Sequence, residues 1–132
     1  MKTLPLRLSP GDDLRTTLQA AVTAHGCEAA FVLAGIGSLR EARIRHAGRE
    51  LAHHVVGDLE ILTLAGTVGP DGVHLHASLS DADGAVFGGH VAPGCLVRTT
   101  AEVLLALLPD LRFARELDAT TGYAELAIRP RT

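Results

Sequence analysis

Three histidines fall within one short stretch, Val73-His-Leu-His-Ala-Ser-Leu-Ser-Asp-Ala-Asp-Gly-Ala-Val-Phe-Gly-Gly-His90. Side chains alternate faces along a strand, so His74 and His76 share a face if this segment is extended. The sequence Asp81-Ala82-Asp83-Gly84 reads as a tight reversal. A three-residue loop over Ala82, Asp83 and Gly84, with Gly84 left-handed, pairs Asp81 with Ala85. The same register sets His76 opposite His90, with His74 as the diagonal neighbour on that face. Three neutral imidazoles brought together this way suit Zn²⁺ or another divalent transition metal. A loop one residue shorter or longer slips the register and turns His90 to the other face. Gly88-Gly89 is also a place where a bulge would re-aim it. The competing reading is a set of ordinary strand histidines hydrogen-bonded to their neighbours.

Other residue types offer less. There is no nucleophile elbow and no phosphate-binding loop. Gly35-Ile-Gly-Ser38 is followed by no helical pattern, so it reads as a tight turn between two strands. Asp58 and Glu60 alternate with apolar residues and face one side of their strand, the pattern of a solvated face. Glu102 lies inside an apolar segment beside Thr99 and Thr100. If buried there, it needs a hydrogen bond, an ion pair or a metal. His53 and His54 are adjacent and point to opposite faces, which argues against joint chelation. Arg40, Arg43, Arg45 and Arg49 cluster, and on a strand the odd-numbered ones share a face; the pattern reads as a solvated strand face.

Composition bounds the function. With 132 residues, 47% hydrophobic and 20% charged, the chain reads as a single soluble domain over residues 1–132. Twelve basic and fifteen acidic residues give a formal charge of −3, against the basic patch a duplex-binding domain needs. Aromatics are 3% with no Trp, too few for a base-stacking surface. Cys27 and Cys95 are far apart and read as reduced thiols, and the N-terminus carries no apolar leader. No apolar run is long enough to span a bilayer, so the expected location is the cytoplasm.

The elements that would position these residues are mostly strands. Thr3 to Leu8 alternates, and Ser9-Pro-Gly-Asp-Asp13 opens a helix striped by Leu14, Leu18, Ala21 and Val22, closed by His25-Gly26. Strands are expected at Glu28 to Ala34, Leu39 to His46, Leu51 to Val56 and Asp58 to Val68. Turns are expected at Ala47-Gly-Arg49 and Gly69-Pro-Asp-Gly72. Pro93-Gly94 breaks the exit of the histidine hairpin. Leu96 to Leu108 is open between a capped helix and a buried strand. Phe113 to Leu117 and Tyr123 to Ile128 read as closing strands. The result is an α+β domain with one main helix and a mostly antiparallel sheet of about seven strands.

Taken in order, Gly35-Ile-Gly-Ser-Leu39, Gly57-Asp-Leu-Glu-Ile-Leu-Thr-Leu-Ala-Gly66, His74-Leu-His76, Asp83-Gly84, Gly88-Gly-His90, Gly94, Thr99-Thr-Ala-Glu102 and Thr121-Gly-Tyr123 resemble the PPC domain family, shared by plants and prokaryotes. The resemblance covers nearly the whole chain. It implies a PPC-type α+β fold, a homotrimer, and a strand at Leu96 to Leu108. It also implies a metal site at His74, His76 and His90, with Thr99, Thr100, Glu102, Gly88 and Gly89 as expected pocket residues and room for a small-molecule ligand at the metal. Plant members place the domain after an AT-hook that enters DNA. That element is missing here, because Arg129-Pro130 lacks the preceding Arg-Gly, and direct DNA binding is not expected. The leading expectation is a trimeric zinc-binding protein. The alternatives are a DNA-associated regulator acting through self-association and partners, and a metal-dependent hydrolase with Glu102 as general base.

Overall fold

A computed structural model describes all 132 residues. The elements run β1 (Lys2–Leu8), α1 (Leu14–Ala24), β2 (Ala30–Arg45), β3 (His53–Gly69), β4 (Gly72–Ser80), β5 (Val86–Val91), β6 (Leu96–Leu107), β7 (Leu111–Leu117) and β8 (Ala124–Pro130). Six strands form one antiparallel sheet in the order β1-β6-β2-β3-β4-β5, while β7 and β8 pair as a separate hairpin. The chain is thus α+β as expected, with six strands in the central sheet and two outside it. No helix is long and apolar enough to cross a membrane.

The helix forms where its signals stand. The Asp13 carboxylate accepts from the Thr16 backbone N–H at 3.0 Å, satisfying one of the orphan donors of the first turn. Its other oxygen accepts from the Gly94 N–H at 2.7 Å, which ties the helix start to the break after β5. Leu14, Leu18 and Val22 recur every fourth residue on one buried face. They join Leu39, Ile44, Leu59, Leu75, Leu79, Val91 and Leu105 in a single core between the helix and the sheet.

The two central strands are longer than their sequence punctuation suggests. Gly35 to Ser38 was expected to turn; instead β2 runs straight through it for 16 residues. The glycines serve close approach. A Cβ on Gly37 would lie 2.5 Å from the Thr100 carbonyl oxygen, and one on Gly35 would lie 2.9 Å from the Leu64 Cβ. The expected break near Gly57 is likewise absent, and β3 is continuous over 17 residues. At Leu96–Leu107 the strand prevails over helix propensity, because β6 is paired on both sides, with β1 and β2.

One closure matters for the site. Strand β5 pairs with β4 along its length and also with the end of β2, through Ile44↔Val91 and Arg45↔His90. Strands β2, β3, β4 and β5 therefore curl into a ring at that end, and His90 sits where it closes.

Candidate metal centre

The histidine hairpin has the register its turn chemistry demands. Asp81 N–H donates to the Ala85 carbonyl at 3.0 Å, and Gly84 N–H donates to the Asp81 carbonyl at 3.0 Å. The Asp81 carboxylate accepts from the N–H groups of Asp83 and Ala85, both at 2.9 Å. Gly84 takes φ +82°, the left-handed conformation that closes a three-residue loop. From there Ser80↔Val86 counts back to His76↔His90.

Inward-facing Val73, Leu75 and Ala77 are buried in the core and hold β4 against slippage. His74 and His76 consequently point outward on the same face. The His74 and His76 Nε2 atoms are 3.1 Å apart, and a ligand nitrogen from each of the three rings lies within 4.8 Å of the others. Ring centroids are 4.8 Å apart for His74–His76, 5.2 Å for His74–His90 and 5.8 Å for His76–His90. Tetrahedral zinc with nitrogens at about 2.0–2.1 Å needs N···N separations of roughly 3.4 Å. The His74–His76 pair already lies near that separation and all three donor nitrogens lie within 4.8 Å, so the donor set fits the ion.

The electrostatics keep the His74 and His90 rings available as ligands. Burial pushes His90 down to about 4, helped by the Arg45 charge and by His74, Arg15 and His76. His74 is also lowered, first by burial and then by His76 and Arg115, with Glu125 opposing. A metal needs the neutral imidazole, so burial and these neighbours disfavour a competing proton on His74 and His90.

The glycines before His90 have a steric role. A Cβ on Gly88 would sit 2.4 Å from the Ala77 carbonyl oxygen, and one on Gly89 would sit 2.7 Å from the Arg45 carbonyl oxygen. They let β5 press against β4 and β2 at once. The Gly88 carbonyl also accepts from His46 Nδ1 at 3.2 Å.

Within one chain, the expected pocket residues on β6 are apart from the histidines. The Thr99 hydroxyl bonds to the Ser38 hydroxyl at 2.7 Å. The Thr100 carbonyl packs against Gly37. Glu102 is exposed, opposite Arg7 and Ile36, because the strand alternation of β6 turns it outward. Strands β2 and β3 separate it from β4, on the order of 14 Å at the usual strand spacing. Within the chain, Glu102 does not join the histidines. His53 and His54 diverge as expected: His53 stacks edge-on with Phe87, while His54 meets the Glu41 carboxylate at 2.6 Å.

Sequence reasoning missed what surrounds the histidines. A groove of about 670 Å³ opens beside His74 and His90, walled by Arg45, Arg49, Glu50, Arg115, Tyr123 and Glu125. Three segments distant in sequence build it: the β2–β3 turn, β7, and the start of β8. The Arg45–Arg49 pattern was visible but read as a solvated strand face. Nothing local places Arg115 or Tyr123 there.

Residues 1–109 match the family model of the Plants and Prokaryotes Conserved domain. A curated relative, the bifunctional protein GlmU of a Synechococcus strain, is 48% identical over 98% of this chain, and the chain spans only 21% of that protein's length. A hypothetical protein from Salmonella has the same fold with a TM-score of 0.95 and 40% identity, over 99% of this chain and 95% of that one. A protein from Archaeoglobus fulgidus described as metal-containing aligns with a TM-score of 0.80 and 29% identity, over 96% of this chain and 94% of that one. Fold, motifs and relatives agree, and the chain belongs to the Plants and Prokaryotes Conserved domain family.

Proposed function

We propose that this protein binds a divalent metal, zinc in the first instance, through His74, His76 and His90, and presents it to a small ligand. The observation that carries the reading is the convergence of three imidazoles on the β4–β5 hairpin, with ligand atoms within 4.8 Å. Three protein ligands are the number that leaves a position open for water or a small molecule. An all-nitrogen set favours zinc and its neighbours in the transition series over magnesium or calcium, which prefer oxygen. The metal-containing relative from Archaeoglobus supports the reading.

Elemental analysis of purified protein is the test. About one transition metal per chain is expected in the wild type, and none in a triple His74→Ala, His76→Ala, His90→Ala variant. Equal metal content in the two would refute the site.

The reading extends to assembly and location. Phe31, Leu33, Ile36 and Leu62 are 39–54% exposed on the solvent side of β2 and β3, and we read this apolar face as the surface of a homotrimer. Free Cys27 and Cys95 suit a reducing cytoplasm. A hydrolase needs a general base within a water's reach of the metal, and the position of Glu102 on β6 gives that version no support within one chain.

A further inference from the structure

We propose that the groove beside the histidines is a receptor for a small oxyanion, a carboxylate or a phosphate, gripped by Arg45 and Arg115. The inference deepens the metal reading and rests on it, since His74 and His90 line the groove. The two arginines are tied to the metal ligands by strand register. Arg45 is the residue that pairs with His90 across β2 and β5. The Arg115 guanidinium is held at 3.0 Å by the hydroxyl of Thr67, the residue that pairs with His74 across β3 and β4.

The charges of these arginines are unspent. Arg43, Arg98, Arg112, Arg129 and Arg131 each lie against a carboxylate. Arg45, Arg49 and Arg115 make no such pair. Arg45 donates one bond, to the Arg49 carbonyl at 3.3 Å, and Arg115 one side-chain bond, to Thr67. A guanidinium has five donors, so each keeps most of its fork for a ligand, in the geometry that matches an oxyanion's paired oxygens.

Size and charge balance narrow the ligand. The groove's volume of about 670 Å³ lies in the range of small-molecule sites. Glu50 and Glu125 share the groove with the three arginines, which leaves a net charge of one positive unit before any metal is counted. That is too little for a polyanionic backbone, which demands many cationic contacts. It suffices for a single acid group beside a metal ion, with Tyr123 offering a ring face and a hydroxyl to the remainder.

The test is calorimetric titration of inorganic phosphate, and separately of acetate, into the full chain before and after metal removal. Zinc content is measured on the same samples. Saturable binding of either probe is expected in the zinc-loaded wild type, weakened at least about tenfold in Arg45→Gln and Arg115→Gln with zinc content unchanged. Arg129→Gln, whose guanidinium pairs with Glu116 outside the groove, should bind as the wild type does. The arm that binds tighter names the acid. No saturable binding of either probe, or equal binding in the arginine variants, overturns the proposal even when zinc is present. Absence of zinc from the wild type instead overturns the metal reading.

Discussion

Replacing Gly66 by alanine should damage the fold and the metal site together. Gly66 lies on β3 opposite Leu75, between the two positions that pair with His74 and His76. It takes φ +149°, and a Cβ there would lie 2.0 Å from the His74 carbonyl oxygen. Ordinary contact begins near 3.4 Å, so β3 and β4 must separate by more than 1 Å at the metal ligands. Two costs combine: about 1–2 kcal/mol for a side chain at that φ, and about 1–3 kcal/mol for the steric overlap. Gly57 separates them, because it has φ +151° on the same strand with nothing within 4 Å of its Cβ position. Urea unfolding should therefore show a loss of about 1–2 kcal/mol for Gly57→Ala and about 2–5 kcal/mol for Gly66→Ala, with similar slopes. Binding sites tolerate displacements of only about 0.5 Å, so zinc affinity should fall at least about tenfold in Gly66→Ala and stay unchanged in Gly57→Ala. Equal stability of the two variants would refute the steric argument, and wild-type zinc affinity in Gly66→Ala would refute its link to the site.

Two further outcomes follow from the same geometry. The metal-free protein should lose stability in acid through His90, whose folded value of about 4 lies below its ordinary 6.5. Because the folded state resists a proton that the unfolded chain accepts, the contribution is present above pH 6.5 and is lost as pH falls toward 4. The ring is only partly buried, so solvent screening reduces the effect to about 1–2 kcal/mol. Unfolding at pH 7.5 and 4.5 should show it in the wild type, and a His90→Asn variant with an identical pH dependence would refute it. Sedimentation should give a mass of three 13.8 kDa chains, shifting to one chain in Leu33→Asp/Ile36→Asp, while a wild-type monomer would remove the trimer.

The parts of the fold legible in the sequence were those set by local chemistry. Asp81 and Gly84 specify a loop of one length, and that length fixes which histidine faces which. Asp13 and Gly26 mark the helix ends for equally local reasons. Glycine was the ambiguous residue. It serves both a turn and a missing Cβ, so Gly35 and Gly37 read as a turn although they let neighbouring strands close on an unbroken β2. Glu102 has apolar neighbours in sequence, and strand alternation exposes it. The groove was illegible, since Arg115 and Tyr123 come to His74 only through the docking of the β7–β8 hairpin. The three histidines were legible because both halves of their site lie on one hairpin.

Anomalous diffraction at the zinc edge, on crystals of the zinc-loaded protein, tests the central claim most directly. One peak per chain is predicted, about 2.0–2.1 Å from a nitrogen of each of His74, His76 and His90. A peak held by other residues, or no peak among three intact imidazoles, would contradict it.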